Sequence, residues 1–129
     1  MPKDRLIITN ESSVPEAASR GDLQVRRVFE AGSMPFESGF EFFLRNRLPA
    51  GGANLRHVHD HVEKVYYFLS GSGEVSAGPW TKRVSAGDFM FFPAAIEHEI
   101  HADTDADLEF IVCASKTLGT PRGPEDERD

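Results

Sequence analysis

Short runs of aromatic and β-branched residues, separated by glycine-rich turns, constrain the fold of this chain more than any other feature of its sequence. Such residues favour strands, and short runs with regular glycine and proline punctuation are typical of an all-β sandwich or barrel. Helix signals are scarce, and only residues 12–20 suggest a single helical turn. The sequence therefore predicts an all-β fold whose strands lie at 23–29, 40–48, 65–69, around 75, 89–92 and 108–114.

The length of 129 residues suits one domain with a single core. We expect a barrel over about 36–115, preceded by an N-terminal arm over 1–35 that has strand-like stretches but no evident partner in the barrel. The segment over about 117–129 is rich in proline, glycine and charge, which predicts a flexible C-terminal tail.

The charge and the single cysteine exclude several classes of protein. A formal net charge of −7 argues against a nucleic-acid partner, because phosphate binding needs a basic surface. No segment resembles a signal peptide, and no apolar run approaches the ~20 residues of a membrane helix. The single Cys113 cannot form an internal disulfide. It lies in a predicted strand with no sequence neighbour that would make it a thiolate, so we expect an inert buried thiol. A cytoplasmic protein without membrane contact is the prediction.

Three histidines, His57, His59 and His61, stand at alternate positions immediately before an apolar run. Alternate residues of a strand share a face. His57 and His59, with Glu63 and His98, are side-chain types that bind a transition metal while leaving coordination positions open. Histidines at a strand end are equally typical of a solvated surface, so the spacing alone leaves both interpretations open.

The segment from Gly51 to Gly71 resembles the first motif of the cupin superfamily. This motif has a glycine, five residues, His-x-His, three or four residues and a glutamate, with a glycine turn after it. In this chain those positions are Gly51, His57, His59 and Glu63, with the turn at Gly71.

The segment 87–102 resembles the second cupin motif, with Gly87, Pro93 and His98 in the expected order. The usual glycine after the proline is Ala95, and the usual asparagine after the histidine is Ala102. These two departures affect turn geometry and not metal ligation. The resemblance covers roughly residues 40–114.

The resemblance implies a small antiparallel β-barrel, the double-stranded β-helix or RmlC-like jelly roll, with a metal ion inside. The implied ligands are His57, His59, Glu63 and His98, and the metal is one divalent transition ion among iron, manganese, nickel, zinc and copper. His61 and His101 lie outside the motif positions and are expected at the pocket mouth or in solvent. Candidates for the core and the cavity lining are Phe42, Leu44, Tyr66, Tyr67, Phe68, Phe89, Phe91, Phe110 and Val112.

The glutamate of the first motif has a competitor in the next residue. Counting forward from His59 selects Glu63, whereas counting backward from Gly71 selects Lys64. The two residues point to opposite faces of a strand, and both faces of this strand are apolar. We favour Glu63 because a carboxylate offsets the charge of a metal ion, and a bulge after His61 would bring it inward.

Two classes of function follow from the resemblance. One is a mononuclear metal-dependent enzyme, of dioxygenase, isomerase or decarboxylase type, that acts on a small organic molecule. The other is a non-enzymatic cupin that binds a small molecule or sugar, and a barrel that has lost its metal through Lys64 is a third possibility. Strands apolar on both faces and the unpartnered arm predict a homodimer.

Overall fold

The computed structural model describes residues 6–34, 37–54 and 61–118. This part of the chain contains two single turns of 3-10 helix, Glu11–Ser13 and Ala31–Ser33, and neither helix is long and apolar enough to cross a membrane. The strands are β1 (Ala17–Ala18), β2 (Gln24–Glu30), β3 (Phe40–Leu48), β4 (Val62–Ser70), β5 (Ser72–Ala77), β6 (Trp80–Ser85), β7 (Phe89–Phe92), β8 (His98–Ala102) and β9 (Leu108–Lys116).

The strands form two antiparallel sheets that pack face to face. The larger sheet has the order β1-β2-β3-β9-β4-β7 and the smaller one the order β6-β5-β8. Side chains of both sheets share one hydrophobic core, which includes Leu48, Phe68 and Phe110 from the larger sheet and Val75 and Ile100 from the smaller. The predicted all-β jelly roll is confirmed.

The central strands of the larger sheet alternate strictly between an inner and an outer face. Leu44 of β3 lies opposite Val112 of β9, which in turn lies opposite Tyr66 of β4, and all three side chains are buried. Side chains repeat every second residue on a strand. Even-numbered residues of 42–48, 64–68 and 108–114 therefore face the interior, and odd-numbered residues face outward.

The N-terminal arm has a partner, contrary to the expectation from the sequence. Strand β2 pairs with β3 in the same chain, and this register places Val25 opposite Asn46. Val25 is buried in the core cluster, so the arm extends the inner face of the larger sheet. The strand-like pattern of residues 23–29 was visible in the sequence, but its partner was not.

The orientation of strand β7 contradicts part of the predicted core and cavity lining. Phe89 and Phe91 are 73% and 60% exposed, whereas Phe92 is buried and Met90 packs partly against the core. Every residue of β7 is apolar, so the sequence could not show which face turns inward. The even positions do so here, and the two predicted lining residues lie on the outer face.

Gly71 makes the turn between β4 and β5 possible. Its φ is +82°, in the left-handed region that residues with a Cβ rarely adopt. A Cβ at this position would also overlap the carbonyl oxygen of Asp107. The glycine that closes the first motif is therefore required by backbone geometry and by the close approach of the chain before β9.

Candidate functional site

A cavity of about 500 Å³ opens on the inner face of the larger sheet. Alternate residues of β2, β3, β9 and β4 supply its apolar wall, so the regular register of these strands shapes it. The loop before β2, the 3-10 turn Ala31–Ser33 and the residue Asn54 complete the lining. The apolar lining residues are Leu23, Val25, Ala31, Phe42, Leu44, Tyr66, Phe110 and Val112.

Lys64 and His98 form a buried polar pair beside this cavity. Lys64, which lines the cavity, is 4% exposed and His98 is 2% exposed, and the Nζ of Lys64 lies 3.1 Å from the Nε2 of His98. The Nδ1 of His98 is 2.9 Å from the carbonyl oxygen of Ile96, which can only accept a hydrogen bond. Nδ1 therefore carries the proton, and Nε2 accepts a hydrogen bond from Lys64.

Aromatic rings and burial set the electrostatics of the pair. The ring of Phe92 packs on that of His98 with centroids 4.3 Å apart, and the Nζ of Lys64 lies 5.7 Å from the ring centroid of Tyr66. Burial, and after it the nearby positive charge of Arg20, lowers the pKa of Lys64 from 10.5 to about 8. At neutral pH Lys64 is thus still mostly a cation. Burial also raises the pKa of Tyr66, whose phenol stays neutral.

The register of β4 turns Lys64 toward the interior. Lys64 lies opposite Ala114 of β9 and shares the inner face with Tyr66, whereas Glu63 lies opposite Ser115 on the outer side. Pairing is regular from Val62 to Phe68, and the irregularity of the strand lies between Phe68 and Ser70, not before Glu63. The bulge that would bring Glu63 inward is therefore absent from the described length of β4.

Among the described residues a cation, and not a metal ligand, lies beside His98. Its Nε2, the nitrogen left for a metal once Nδ1 donates to Ile96, faces the ammonium group of Lys64 at 3.1 Å. A metal ion would need to lie about 2 Å from Nε2, and a cation there is disfavoured by the neighbouring ammonium. Within residues 6–34, 37–54 and 61–118 no three histidine, cysteine or acidic side chains cluster as metal ligands would.

The other histidines fall into two groups. His57 and His59 lie outside the described residues, so the ligand set His57, His59, Glu63 and His98 stays a prediction. His61 and His101 are exposed, which agrees with the expectation that they lie at the pocket mouth or in solvent.

Two asparagines, which the sequence reasoning missed, line the same cavity. Asn46 and Asn54 are each 3% exposed. The Oδ1 of Asn54 accepts a hydrogen bond of 2.6 Å from the backbone N–H of Ile100. The Oδ1 of Asn46 has no hydrogen-bond partner among the described residues. A polar residue among the inward positions of β3, otherwise phenylalanine and leucine, was the available signal for Asn46.

The charged groups of the lining include three cations and two acids: Arg20, Arg27, Lys64, Glu30 and Glu41. Arg27 and Glu30 approach each other at 3.9 Å across exposed side chains. Arg20 is the cation whose charge acts on Lys64. The described lining thus holds an excess of one positive charge, in a protein whose formal net charge is −7.

The sequence between Arg45 and Ala114, more than half of the chain, matches the family model of the cupin domain. The chain belongs to the cupin family. In this cupin the match runs from the middle of β3 to β9, so it includes β4, β7 and β8, the strands of both motifs, and the part of the cavity wall that holds Lys64, Tyr66, Phe110 and Val112.

Comparison with individual proteins supports the same fold. This cupin is 28% identical over 67 residues to an uncharacterised protein of Methanocaldococcus jannaschii, a match that covers 52% of this chain and 54% of that protein. The chain thus spans about half the length of this curated relative.

Two solved structures resemble the cupin over most of its length. One is a protein of Thermotoga maritima described as a predicted oxalate decarboxylase, with a TM-score of 0.76 and 22% identity over 86% of this chain and 100% of the other. The second is the polyketide cyclase RemF of Streptomyces resistomycificus, with a TM-score of 0.71 and 15% identity over 95% and 92%. At these identities the similarity shows the fold and leaves the chemistry to the residues of the site.

Proposed function

We propose that this cupin binds a small organic acid in the cavity of the larger sheet. The observation that carries the proposal is Lys64, a buried cation that lines an apolar cavity inside a cupin jelly roll. Lys64 and Arg20 would together bind the carboxylate of the ligand, and the apolar wall would hold its organic part.

Physical chemistry favours an anion at this position. Burying a cation costs free energy unless opposite charge or hydrogen bonds offset the loss of water. Lys64 donates a hydrogen bond to His98, and the nearby charge of Arg20 repels its ammonium group. A carboxylate bound between Lys64 and Arg20 would be attracted to both cations and so would offset their mutual repulsion. The cavity volume of about 500 Å³ lies within the range of small-molecule sites.

Matched acids and amides test the role of charge. The probes are phenylacetate and its 2-, 3- and 4-hydroxy derivatives, each compared with its neutral amide by isothermal titration calorimetry. We expect acids to bind more tightly than amides, and Lys64→Met to reduce this difference by about 1.5–3 kcal/mol, the contribution of a hydrogen bond to a charged group, while Arg20 keeps the remainder. This corresponds to roughly 10- to 100-fold in Kd.

Lys82→Met is the matched control, because Lys82 is exposed on β6 in the smaller sheet. It removes the same charge from the protein and should keep the preference for acids. Equal affinities of acids and amides for the unaltered protein would reject the proposed function.

The metal-dependent enzyme, of dioxygenase, isomerase or decarboxylase type, is the second candidate. It is supported by His98, which lies buried on β8 where the second motif puts a ligand. Elemental analysis of the purified protein tests it. Near-stoichiometric transition metal that the double variant His57→Ala/His59→Ala loses would favour this candidate, and its absence after reconstitution would reject it.

We also propose that the cupin is a homodimer built on the outer face of the larger sheet. Phe91, Val65, Cys113 and Phe43 lie side by side across four strands, β7, β4, β9 and β3. Phe91 and Val65 are 60% and 47% exposed. An apolar patch of this kind on one sheet face suits a self-complementary, two-fold interface between copies of the chain.

A further inference from the structure

The apolar residues at the start of the described chain lie outside its hydrophobic core. Leu6 and Ile8 are 81% and 84% exposed, and residues 6–10 belong to no helix or strand. The run of Leu6, Ile7 and Ile8 is nevertheless apolar and partly β-branched, a composition that favours strands. Exposed apolar surface of this kind marks a contact with another molecule.

The residues that follow segment 6–9 are held on the outer face of the larger sheet. Arg26 of β2 lies opposite Arg45 of β3, which faces outward. The guanidinium of Arg26 donates to the carbonyl oxygens of Glu11 and Val14 at 2.7 and 3.0 Å. The Nε of Arg45 lies 3.2 Å from the Oε2 of Glu11. Segment 6–9 is thus joined to the chain at the sheet face that we assign to the homodimer.

A second apolar groove, of about 520 Å³, lies beside β7. Strand β7 is the last of the larger sheet and β6 the last of the smaller one, so no strand of the described chain closes the gap between them. Met90 and Phe92 of β7 line one side of the groove, and Trp80 and Val84 of β6 line the other. Trp80 is 56% exposed. A strand added at the free edge of β7 would place alternate side chains in this groove and pair with the backbone groups that β7 does not share with β4.

A two-fold dimer on the outer face brings the segment and the groove together. The strands that carry the apolar patch have the order β3-β9-β4-β7. A two-fold axis that lies in the interface and runs parallel to the strands reverses this order, so that β3 of one copy lies over β7 of the other. The N-terminal arm, which is held at β2 and β3, then reaches the partner close to its β7. Segment 6–9 also equals β7 in length, at four residues.

We propose that residues 6–9 of each copy dock along the free edge of β7 in the other copy, with Leu6 and Ile8 in the groove beside Trp80. The inference rests on the proposed homodimer, not on the binding of an organic acid, and it names the segment that the two copies exchange. Leu6 and Ile8 enter the groove together because alternate residues of a strand share a face. Their burial removes apolar surface from water and so stabilises the dimer.

Trp80 is the only tryptophan in the chain, so its fluorescence reports on the groove. Acrylamide quenching measures the access of solvent to its ring, and light scattering on the same samples measures the mass. We expect Leu6→Asp/Ile8→Asp to raise the quenching constant ~2-fold or more over that of the unaltered dimer, because a charge disfavours entry into an apolar groove. Both side chains are exposed in their own copy, so the variant should keep its fold by circular dichroism.

Two control variants separate docking from a general effect of altering the arm. Ser12→Asp adds a charge at an exposed position of the same arm, outside segment 6–9, and should leave the quenching of Trp80 unchanged. Leu6→Val/Ile8→Val keeps both side chains apolar and should retain the protection of Trp80.

A mixing experiment distinguishes docking on a second copy from docking on the same chain. Trp80→Phe has an intact segment 6–9 but no tryptophan, whereas Leu6→Asp/Ile8→Asp has Trp80 but an altered segment. Equilibration of the second variant with an excess of the first should form mixed dimers, in which the intact segment protects Trp80 of the other copy. Protection that mixing does not restore would show that each segment covers its own groove and would overturn the inference.

The mass and the quenching fail independently. A dimer in which Trp80 is quenched equally in the unaltered protein and in Leu6→Asp/Ile8→Asp would refute the docking of segment 6–9 and leave the outer-face dimer intact. A monomer in the unaltered protein would refute both.

Discussion

At the scale of single residues, one position on β4 decides the character of the site. Lys64 occupies the inner face next to His98, where a carboxylate would complete a set of metal ligands. The sequence showed that Glu63 and Lys64 compete for this face. It could not choose between them, because Val65 and Tyr67 on one face are as apolar as Tyr66 and Phe68 on the other. The choice is made by pairing with β9, which lies more than forty residues later in the chain.

Metal titration into variants of this pair is the residue-scale prediction. Lys64→Glu should raise the affinity for Ni²⁺ or Zn²⁺ at least ~10-fold, because it replaces a cation near His98 Nε2 with an anionic ligand. Glu63→Ala should have little effect, since Glu63 lies on the outer side of β4. Strong loss of metal binding in Glu63→Ala would instead place Glu63 among the ligands.

At the scale of strands and turns, close backbone contacts determine how much stability the protein loses when a glycine is replaced. Gly71→Ala should destabilise the protein by about 3 kcal/mol or more, because the new Cβ meets the Asp107 carbonyl and φ is +82°. Gly87→Ala is the matched control: φ is +95°, but nothing lies within 4 Å of the new Cβ. It should cost only the backbone strain, about 1–2 kcal/mol. Chemical denaturation measures both values, and equal losses would show that the contact with Asp107 relaxes freely.

A second contact between strands makes the stability of the fold depend on pH in the acid range. Asp103, in the turn after β8, accepts hydrogen bonds from Arg83 of β6 and from Ser72 of β5, the latter at 2.6 Å. Arg83, and after it Ser72, lowers the pKa of Asp103 from 3.8 to about 2. The carboxylate of the folded protein thus holds its proton less tightly than that of the unfolded chain.

Its contribution to stability is therefore complete above about pH 4 and disappears as the pH falls toward 2. Asp103→Asn should flatten the fall in stability over this range, measured by urea unfolding at a series of pH values. Ser72→Ala removes one of the two donors and should give a smaller change in the same direction. An unchanged pH profile in Asp103→Asn would contradict the assignment.

Comparison of the predicted and observed strands shows which elements could be predicted from the sequence alone. Strand β3 was predicted at its observed bounds, and β9 was predicted to within two residues, because both alternate aromatic or β-branched residues over a long run. Strand β6 was missed because only Val84 is buried in it, so its sequence carries almost no apolar pattern. In the candidate site, too, only features carried by the local sequence could be predicted. His98 could be predicted from local spacing, whereas Lys64 acquires its role from neighbours distant in sequence.

At the scale of the whole molecule, the outer face of the larger sheet predicts association. Light scattering at micromolar concentration should give the mass of a dimer. Phe91→Glu should weaken the dimer roughly 10-fold or more, because it introduces a charge into the apolar patch beside Val65. A monomer in the unaltered protein would refute the dimer.

The strict alternation of inward-facing and outward-facing residues on β3, β4 and β9 has a consequence for the evolution of this protein. Codons for the cavity and codons for the outer surface are interleaved, yet substitutions at one set leave the chemistry of the other nearly untouched. The cavity lining and the outer face of the sheet can therefore diverge independently among descendants of the same gene. Gain of one codon at the start of β4 is different: it exchanges the two sets along that strand at once, which places Glu63 where Lys64 now lies.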